Sequence, residues 1–290
     1  MNRRELLKGL VAGGVAIALQ RKAFASTKLA IDGVGARLAA LERKHGGRLG
    51  VAMLDTGSGK GAGHRADVPF LMCSTFKLLL AAAVLKRVDE GRERLDHRIV
   101  FGKDVVLDWA PVTGKHVGRP GLTIAELCEA AITLSDNTAA NLLITRIGGP
   151  GAVTEFARSL DDPHTVLDRM EPELNPRDTT TPNAMLGDMQ KLLLGDVLSQ
   201  ASCGQLTHWL LDCRTGLQSL RAGVPNGWRV GDKTGQWDGN GTGANNDIAI
   251  IWPTGRKPLL VTAYYMTDTT DVAARKAVLA EVGRIAANLV

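Results

Sequence analysis

Three short motifs carry side chains that can attack a carbonyl and move protons. Ser74-Thr75-Phe76-Lys77 sets a hydroxyl and an amine three residues apart, which puts both on one face of a helix. Pro69 and Cys73 precede a long apolar run, so Ser74 is expected at a helix N-terminus, where backbone N–H groups favour developing negative charge. A serine hydroxyl is a poor nucleophile until a base takes its proton, and a partly desolvated lysine can do that. Ser135-Asp136-Asn137 lies between two expected helices. Ser135 can relay a proton, and Asn137 offers an amide that orients a substrate or a lysine. In Lys233-Thr234-Gly235, the amine and hydroxyl suit a carboxylate, and the glycine lets a ligand approach the backbone. Each motif alone also has a plainer meaning: a helix cap with a surface lysine, an N-cap, and a basic strand-to-turn junction.

The elements that must hold these motifs follow from periodicity and punctuation. Residues 30–44 have a helical pattern, and residues 49–54 alternate toward a strand. A strongly apolar helix is expected over residues 75–88, ending near Gly91. A polar, Gly- and Pro-containing stretch follows around residues 109–121. Helices are expected at 123–134, 138–147 and 153–159, with Thr123 and Glu126 shaped as a capping box. Residues 168–182 are loop-like, and helix returns at 183–194 and 205–211. Strands are expected at 228–233, 247–252 and 259–266, joined by glycine-rich turns, and residues 272–289 close as a helix. A β-rich start and end thus bracket a helical middle, which indicates an α+β protein with a sheet domain built from both ends. The expected division is 26–66 with 214–290 for the sheet domain and 67–213 for an inserted all-helical domain.

The 290 residues, 44% of them hydrophobic, suffice for a large core. Residues 1–25 read as an export leader: Arg3-Arg4, an apolar run from Leu10 to Leu19, and Ala23-Phe24-Ala25. The run is short for a bilayer span, and the paired arginines point to the twin-arginine route. The leader holds five basic residues and one acid, so its removal takes the net charge from +5 to +1. A nucleic-acid partner then has no electrostatic basis. The four cysteines lack a C-x-x-C spacing, and the six histidines form no H-x-H or H-x-x-H pair. No metal site or organic cofactor is implied.

Together, S-x-x-K, S-D-N and K-T-G in this order resemble class A serine β-lactamases and penicillin-binding proteins. The likeness spans essentially the whole mature chain, including Asp161-Asp162 and the run from Val230 to Gly235. Glu171-Pro172-Glu173-Leu174-Asn175 separates the hydrolases from the transpeptidases, so the chain resembles a class A β-lactamase in particular. The resemblance implies an antiparallel sheet flanked by N- and C-terminal helices beside the helical domain. It implies an exported monomer, periplasmic or secreted, with no membrane anchor once the leader is cut. Its substrates would be small-molecule β-lactams, penicillins and cephalosporins. Ser74 would be the nucleophile, its proton leaving through Lys77 or through Glu171 and a water. Ser135 would protonate the departing nitrogen, and Glu171 with Asn175 would direct the deacylating water. Lys233 and Thr234 would hold the substrate carboxylate, Gly235 would open the strand edge, and Asn137 would contact the amide side chain. Backbone N–H groups of Ser74 and Gln236 would form the oxyanion hole. The Glu171–Pro172 bond would be cis, and Arg169 with Asp178 would clasp the loop. Trp109 falls where the family has an aromatic at the entrance, and it equally suits a half-buried loop tryptophan.

Several features depart from that pattern. Only Pro176 separates Asn175 from Arg177-Asp178, so the Glu171 loop is short. Cys73 has Trp237 where some relatives carry its disulfide partner, and Cys128 has Ala81, so no family disulfide is expected; Cys203–Cys213 stays open. The turn over residues 236–246 looks long, and Arg221 and Arg275 are candidates for an extra arginine against the substrate carboxylate. The nearest rivals are a D,D-peptidase without this glutamate motif and a β-lactam sensor that stays acylated. With Glu171 and Asn175 retained inside a trimmed loop, bulky oxyimino-cephalosporins are expected to be turned over in preference to benzylpenicillin. Steady-state kinetics on both decide this, and a strong preference for the penicillin contradicts it.

Overall fold

A computed structural model describes residues 33–172, 178–239 and 241–289. The expected leader, and within the Glu171 loop residues 173–177, lie outside the described residues. A helix over residues 33–45, α1, leads into β1 (Arg48–Asp55) and β2 (Lys60–His64). Far along the chain come β7 (Arg229–Gly239), β8 (Thr242–Trp252) and β9 (Leu259–Thr267). These five form one antiparallel sheet in the order β2-β1-β9-β8-β7. The fold is therefore α+β, as the sequence suggests.

Side-chain alternation along β8 shows how the sheet is covered. Ile248 and Ile250 join the large core under the helical layer, while Ala249 and Ile251 join the second core on the opposite face. In that second core, Val34, Leu38 and Leu41 of α1 meet Val278, Leu279 and Val282 of α9 (Val272–Ala287). A sheet buried on both faces reads as nearly continuous apolar sequence, and β8 and β9 do so.

At the centre of the helical layer is α2 (Lys77–Asp89), whose residues from Leu78 to Leu85 are all buried. A helix apolar all round must be surrounded. Around it stand α3 (Ile124–Thr133), α4 (Asn137–Ile147), α5 (Gly151–Ser159) and α7 (Gln200–Leu211). The Thr123–Glu126 capping box is present in full. Between α5 and α7, α6 (Pro182–Leu194) packs on β1 and β9, with proline in its first turn and Thr181 as its cap. Among the described residues, no helix is long and apolar enough to cross a membrane.

Two expectations need correction. The region 236–246 is not an extended turn: β7 runs to Gly239 and β8 restarts at Thr242, in continuous register from Arg229↔Trp252 to Gly239↔Thr242. Its glycines and amides mimic a loop in sequence, but cross-strand pairing overrides weak strand propensity. The α-helix expected from residue 75 also starts later. Cys73–Phe76 forms a 3-10 turn, and the α-helix begins only at Lys77.

The segment carrying Glu171 is stitched at its base. Val166 N–H donates to Thr179 O at 2.9 Å, and the Thr165 and Thr180 hydroxyls are 2.6 Å apart. Asp162 accepts from the backbone N–H groups of His164 and Thr165. Against it stands Asp188 of α6, 1% exposed. Burial and the facing Asp162 push the Asp188 carboxyl up to about 9, so Asp188 keeps its proton at neutral pH. The folded state holds this proton between about pH 4 and 9, and the unfolded chain does not. Asp188 therefore contributes stability at low pH that is lost as pH rises through about 9. An Asp188→Asn variant is expected to lose less stability between pH 5 and 9 than the parent. Urea unfolding across that range measures it; parallel losses contradict a proton held on Asp188.

Candidate active site

The turn that presents Ser74 is held from three directions. Asn246 of β8 donates through its amide to Leu71 O at 2.7 Å and Met72 O at 3.0 Å. Met72 N–H donates to Asp178 O at 3.0 Å, tying the turn to the far end of the Glu171 segment. Thr75 Oγ1 donates to Met72 O at 2.8 Å and closes the turn on itself. Cys73 takes a φ of 47°, in the left-handed region that non-glycine residues rarely adopt. Such backbone strain persists where surrounding contacts over-determine it, commonly at working sites.

Gly235 explains how the sheet reaches this turn. A Cβ there would lie 2.8 Å from Met72 O, 2.9 Å from Cys73 Cβ and 3.1 Å from Ser74 N. No side chain fits, so β7 passes directly against the nucleophile backbone. β7 is an edge strand of the sheet, and an edge strand leaves backbone N–H and C=O groups free for a ligand.

Behind the turn lie two lysines with no solvent exposure. Lys77 Nζ donates to Asn137 Oδ1 at 2.6 Å, to Ser135 O at 2.9 Å and to Ser135 Oγ at 3.4 Å. Lys233 Nζ reaches Ser135 Oγ at 3.1 Å and Thr234 O at 2.6 Å. Ser135 thus stands between the two amines, with a φ of 58°. Burial lowers both lysines, and Lys77 comes down to about 7 despite the opposing charge of Glu171. Glu171 completes the group. Its Oε1 is 3.4 Å from Ser74 Oγ and 3.5 Å from Lys77 Nζ.

In front is a cleft of about 440 Å³ lined by Ser74, Trp109, Ser135, Asn137, Thr234 and Gln236, among others. Gly235 lines it too, so the structure brings together every expected site residue except Asn175, which lies outside the described residues. Trp109 is 57% exposed, and its indole N–H donates to Leu134 O at 3.0 Å. Its expected place at the cleft wall therefore agrees with the structure. The Glu171–Pro172 bond is cis, as the resemblance implies. The clasp is present as a long Arg169–Asp178 ion pair of 3.9 Å, reinforced by Asp168 N–H donating to Asp178 Oδ1 at 2.7 Å. All four cysteines are free thiols. Among the described residues, no group of three or more His, Cys, Asp or Glu side chains could hold a metal ion.

Neither candidate arginine serves the cleft. Arg221 pairs with buried Asp232. Arg275 is fully buried, pairs with Asp238 and donates to Thr269 O. Lys276, its neighbour, lines the cleft instead.

Three contributors lie outside the roles assigned from sequence, although Asp136 is the N-cap that Ser135-Asp136-Asn137 also suits. Asn141 of α4 clamps the Glu171 backbone from both sides, donating to its C=O at 2.8 Å and accepting from its N–H at 3.0 Å. Asp136, buried, accepts from Val112 N, Thr113 N, Thr113 Oγ1 and Ala139 N, and so fixes the turn between Ser135 and Asn137. Asn246 is the third. Asn141 sits four residues after Asn137, which places it on the same helix face and was the one signal available for it.

Comparison with known proteins agrees with this arrangement. Residues 34–290 match the family described as the Beta-lactamase enzyme family. The chain is 49% identical over 259 residues to β-lactamase L2 of Stenotrophomonas maltophilia, covering 87% of this chain and 84% of that one. It is 45% identical over 260 residues to β-lactamase OXY-1 of Klebsiella oxytoca, covering 88% of each. Among solved structures, an ancestral class A β-lactamase for Gram-negative bacteria superposes with a TM-score of 0.83 at 58% identity, covering 87% of this chain and 98% of that one. The chain belongs to the β-lactamase enzyme family, as a class A serine β-lactamase.

The Lys77 environment generates a test. Glu171 holds the ammonium form up, so replacing it with neutral glutamine removes that support. In the parent, Lys77 is expected to titrate near pH 7, and in Glu171→Gln at a lower pH. NMR of the lysine side-chain carbons measures both midpoints. A Lys77 midpoint near that of an exposed lysine, or an upward move in the variant, contradicts the assignment.

Proposed function

We propose that this hydrolase opens the β-lactam ring of penicillins and cephalosporins through an acyl-ester on Ser74, freed by water that Glu171 activates. One observation carries the reading: the side chains form one connected chain, Ser74 Oγ to Glu171, Glu171 to Lys77, and both buried lysines to Ser135 Oγ. The ring carbonyl sits with its oxygen toward the backbone N–H groups of Ser74 and Gln236, where the close approach at Gly235 brings strand and turn together. Charge developing on that oxygen is met by preorganised donors.

Ser74 Oγ already points to Glu171, so its proton passes toward that carboxylate, directly or through one water. Lys77, lowered to about 7, is the second acceptor available at neutral pH. As the C–N bond breaks, Ser135 gives its proton to the nitrogen, and the two lysines beside it resupply the hydroxyl. Lys233 and Thr234 hold the substrate carboxylate, and Asn137 its amide. Glu171, having passed the Ser74 proton on to Lys77, takes a new one from water as that water attacks the ester carbon, and gives it to Ser74 Oγ as the ester C–O bond breaks; Asn175 positions that water. Asn141 acts as the backstop that keeps Glu171 from drifting, and a shift of about 1 Å can cost 10²-fold in rate.

The wider reading follows the same family. Residues 1–25 are a twin-arginine leader, and the mature enzyme is a periplasmic or secreted monomer without membrane or nucleic-acid partner. It folds as a sheet domain (26–66, 214–290) with a helical domain (67–213) inserted, and it uses no cofactor.

Mass spectrometry after mixing with benzylpenicillin tests the chemistry. The parent is expected to show a transient adduct, and Glu171→Gln a lasting one with deacylation slowed at least about 10²-fold. A lasting adduct on the parent makes the protein a β-lactam sensor or slow penicillin-binding protein. No adduct at all removes the reading.

A further inference from the structure

Thr215 follows α7 and contributes its side chain to the cleft wall beside Thr234. The two hydroxyl oxygens are 2.5 Å apart, so one proton is committed between them. Thr215 Oγ1 also meets Cys213 Sγ at 3.3 Å. Cys213 is 2% exposed, and burial raises its thiol, which stays protonated through the neutral range.

Proton direction along this chain follows from acceptor strength. Oxygen accepts a hydroxyl proton better than sulfur does. The Thr215 proton therefore goes to Thr234 Oγ1, and the thiol donates to Thr215. Thr234 is left with its own proton free to point into the cleft. The opposite order would turn Thr234 lone pairs toward the cleft, where they would repel an anion. Bonds aligned in one direction also strengthen one another.

We propose that Thr215 is a positioning residue for recognition of the substrate carboxylate: it fixes Thr234 as a donor to that anion, and Cys213 sets the direction. This deepens the reading above and rests on it. Thr234 contacts the carboxylate in ground and transition states alike, so the effect falls on KM more than on kcat.

Thr215→Val keeps the shape and removes the hydroxyl. For benzylpenicillin its KM is expected to rise about tenfold, the order of one lost hydrogen bond to a charged group, with kcat within about twofold. On benzylpenicillin methyl ester, which lacks the anion, parent and variant are expected to give nearly equal KM. Thr215→Ser should return KM to the parent range. Cys213→Ala should raise KM for the acid in the same direction but less, and Cys213→Ser should not. An unchanged KM in Thr215→Val, an equal rise on acid and ester, or a serine variant as weak as valine overturns the inference. If Thr215→Val does not fold, the Cys213→Ala and Cys213→Ser pair decides by the same acid-to-ester comparison. A parent that forms no adduct with benzylpenicillin fails earlier and overturns the proposed chemistry and this inference together. A parent that turns over normally beside an unaffected Thr215→Val overturns this inference alone.

Discussion

Two amines cut off from solvent stand on either side of one serine hydroxyl, and most of the architecture serves to make that arrangement tolerable. A buried charge without acceptors costs several kcal/mol. Lys77 is supplied by Asn137, the Ser135 carbonyl and Glu171, and Lys233 by Ser135 and the Thr234 carbonyl. These acceptors come from three places: the turn before α4, the Glu171 segment and β7. A shift in any of them removes an acceptor from a buried amine. The helical layer and the sheet are thereby registered on Ser135 as firmly by electrostatics as by their shared apolar core.

The same logic accounts for the polar residues around the site. Asp136 gathers backbone donors from the loop that carries Trp109, so the cleft wall and the Ser135 turn are one unit. Asn246 and Asn141 do for the Ser74 turn and for Glu171 what a cap does for a helix: they satisfy backbone groups that no regular ladder reaches.

Much of this was legible before any coordinates. The reacting side chains announced themselves because motif spacing is local: Ser74 with Lys77, Ser135 with Asn137, Lys233 with Thr234. Apolar periodicity located α2, α3 and the closing helix to within a few residues. What stayed hidden was non-local. Asn141, Asn246 and Thr215 look like ordinary polar residues until a partner distant in sequence is seen opposite them. The stretch from Gln236 to Asn246 misled because glycine and asparagine usually mark turns. Here the pairing of β7 with β8 and the clamp of Arg275 on Asp238 hold it extended. Arg221 and Arg275 misled in the other direction, since aspartates claim both, buried Asp232 the first and exposed Asp238 the second.

The position of β1 has a consequence for how the enzyme comes into being. β1 lies between β2 and β9, and its register with β9 joins Arg48 to Met266. A ribosome-bound chain lacking β9 leaves one edge of β1 unpaired, with β2 and α6 against it, and long-range pairing of this kind closes slowly. The cleft wall formed by β7 depends on β8, which in turn depends on β9. The cleft wall on β7 is therefore completed only after β9, near the end of the sheet's chain order, is in place.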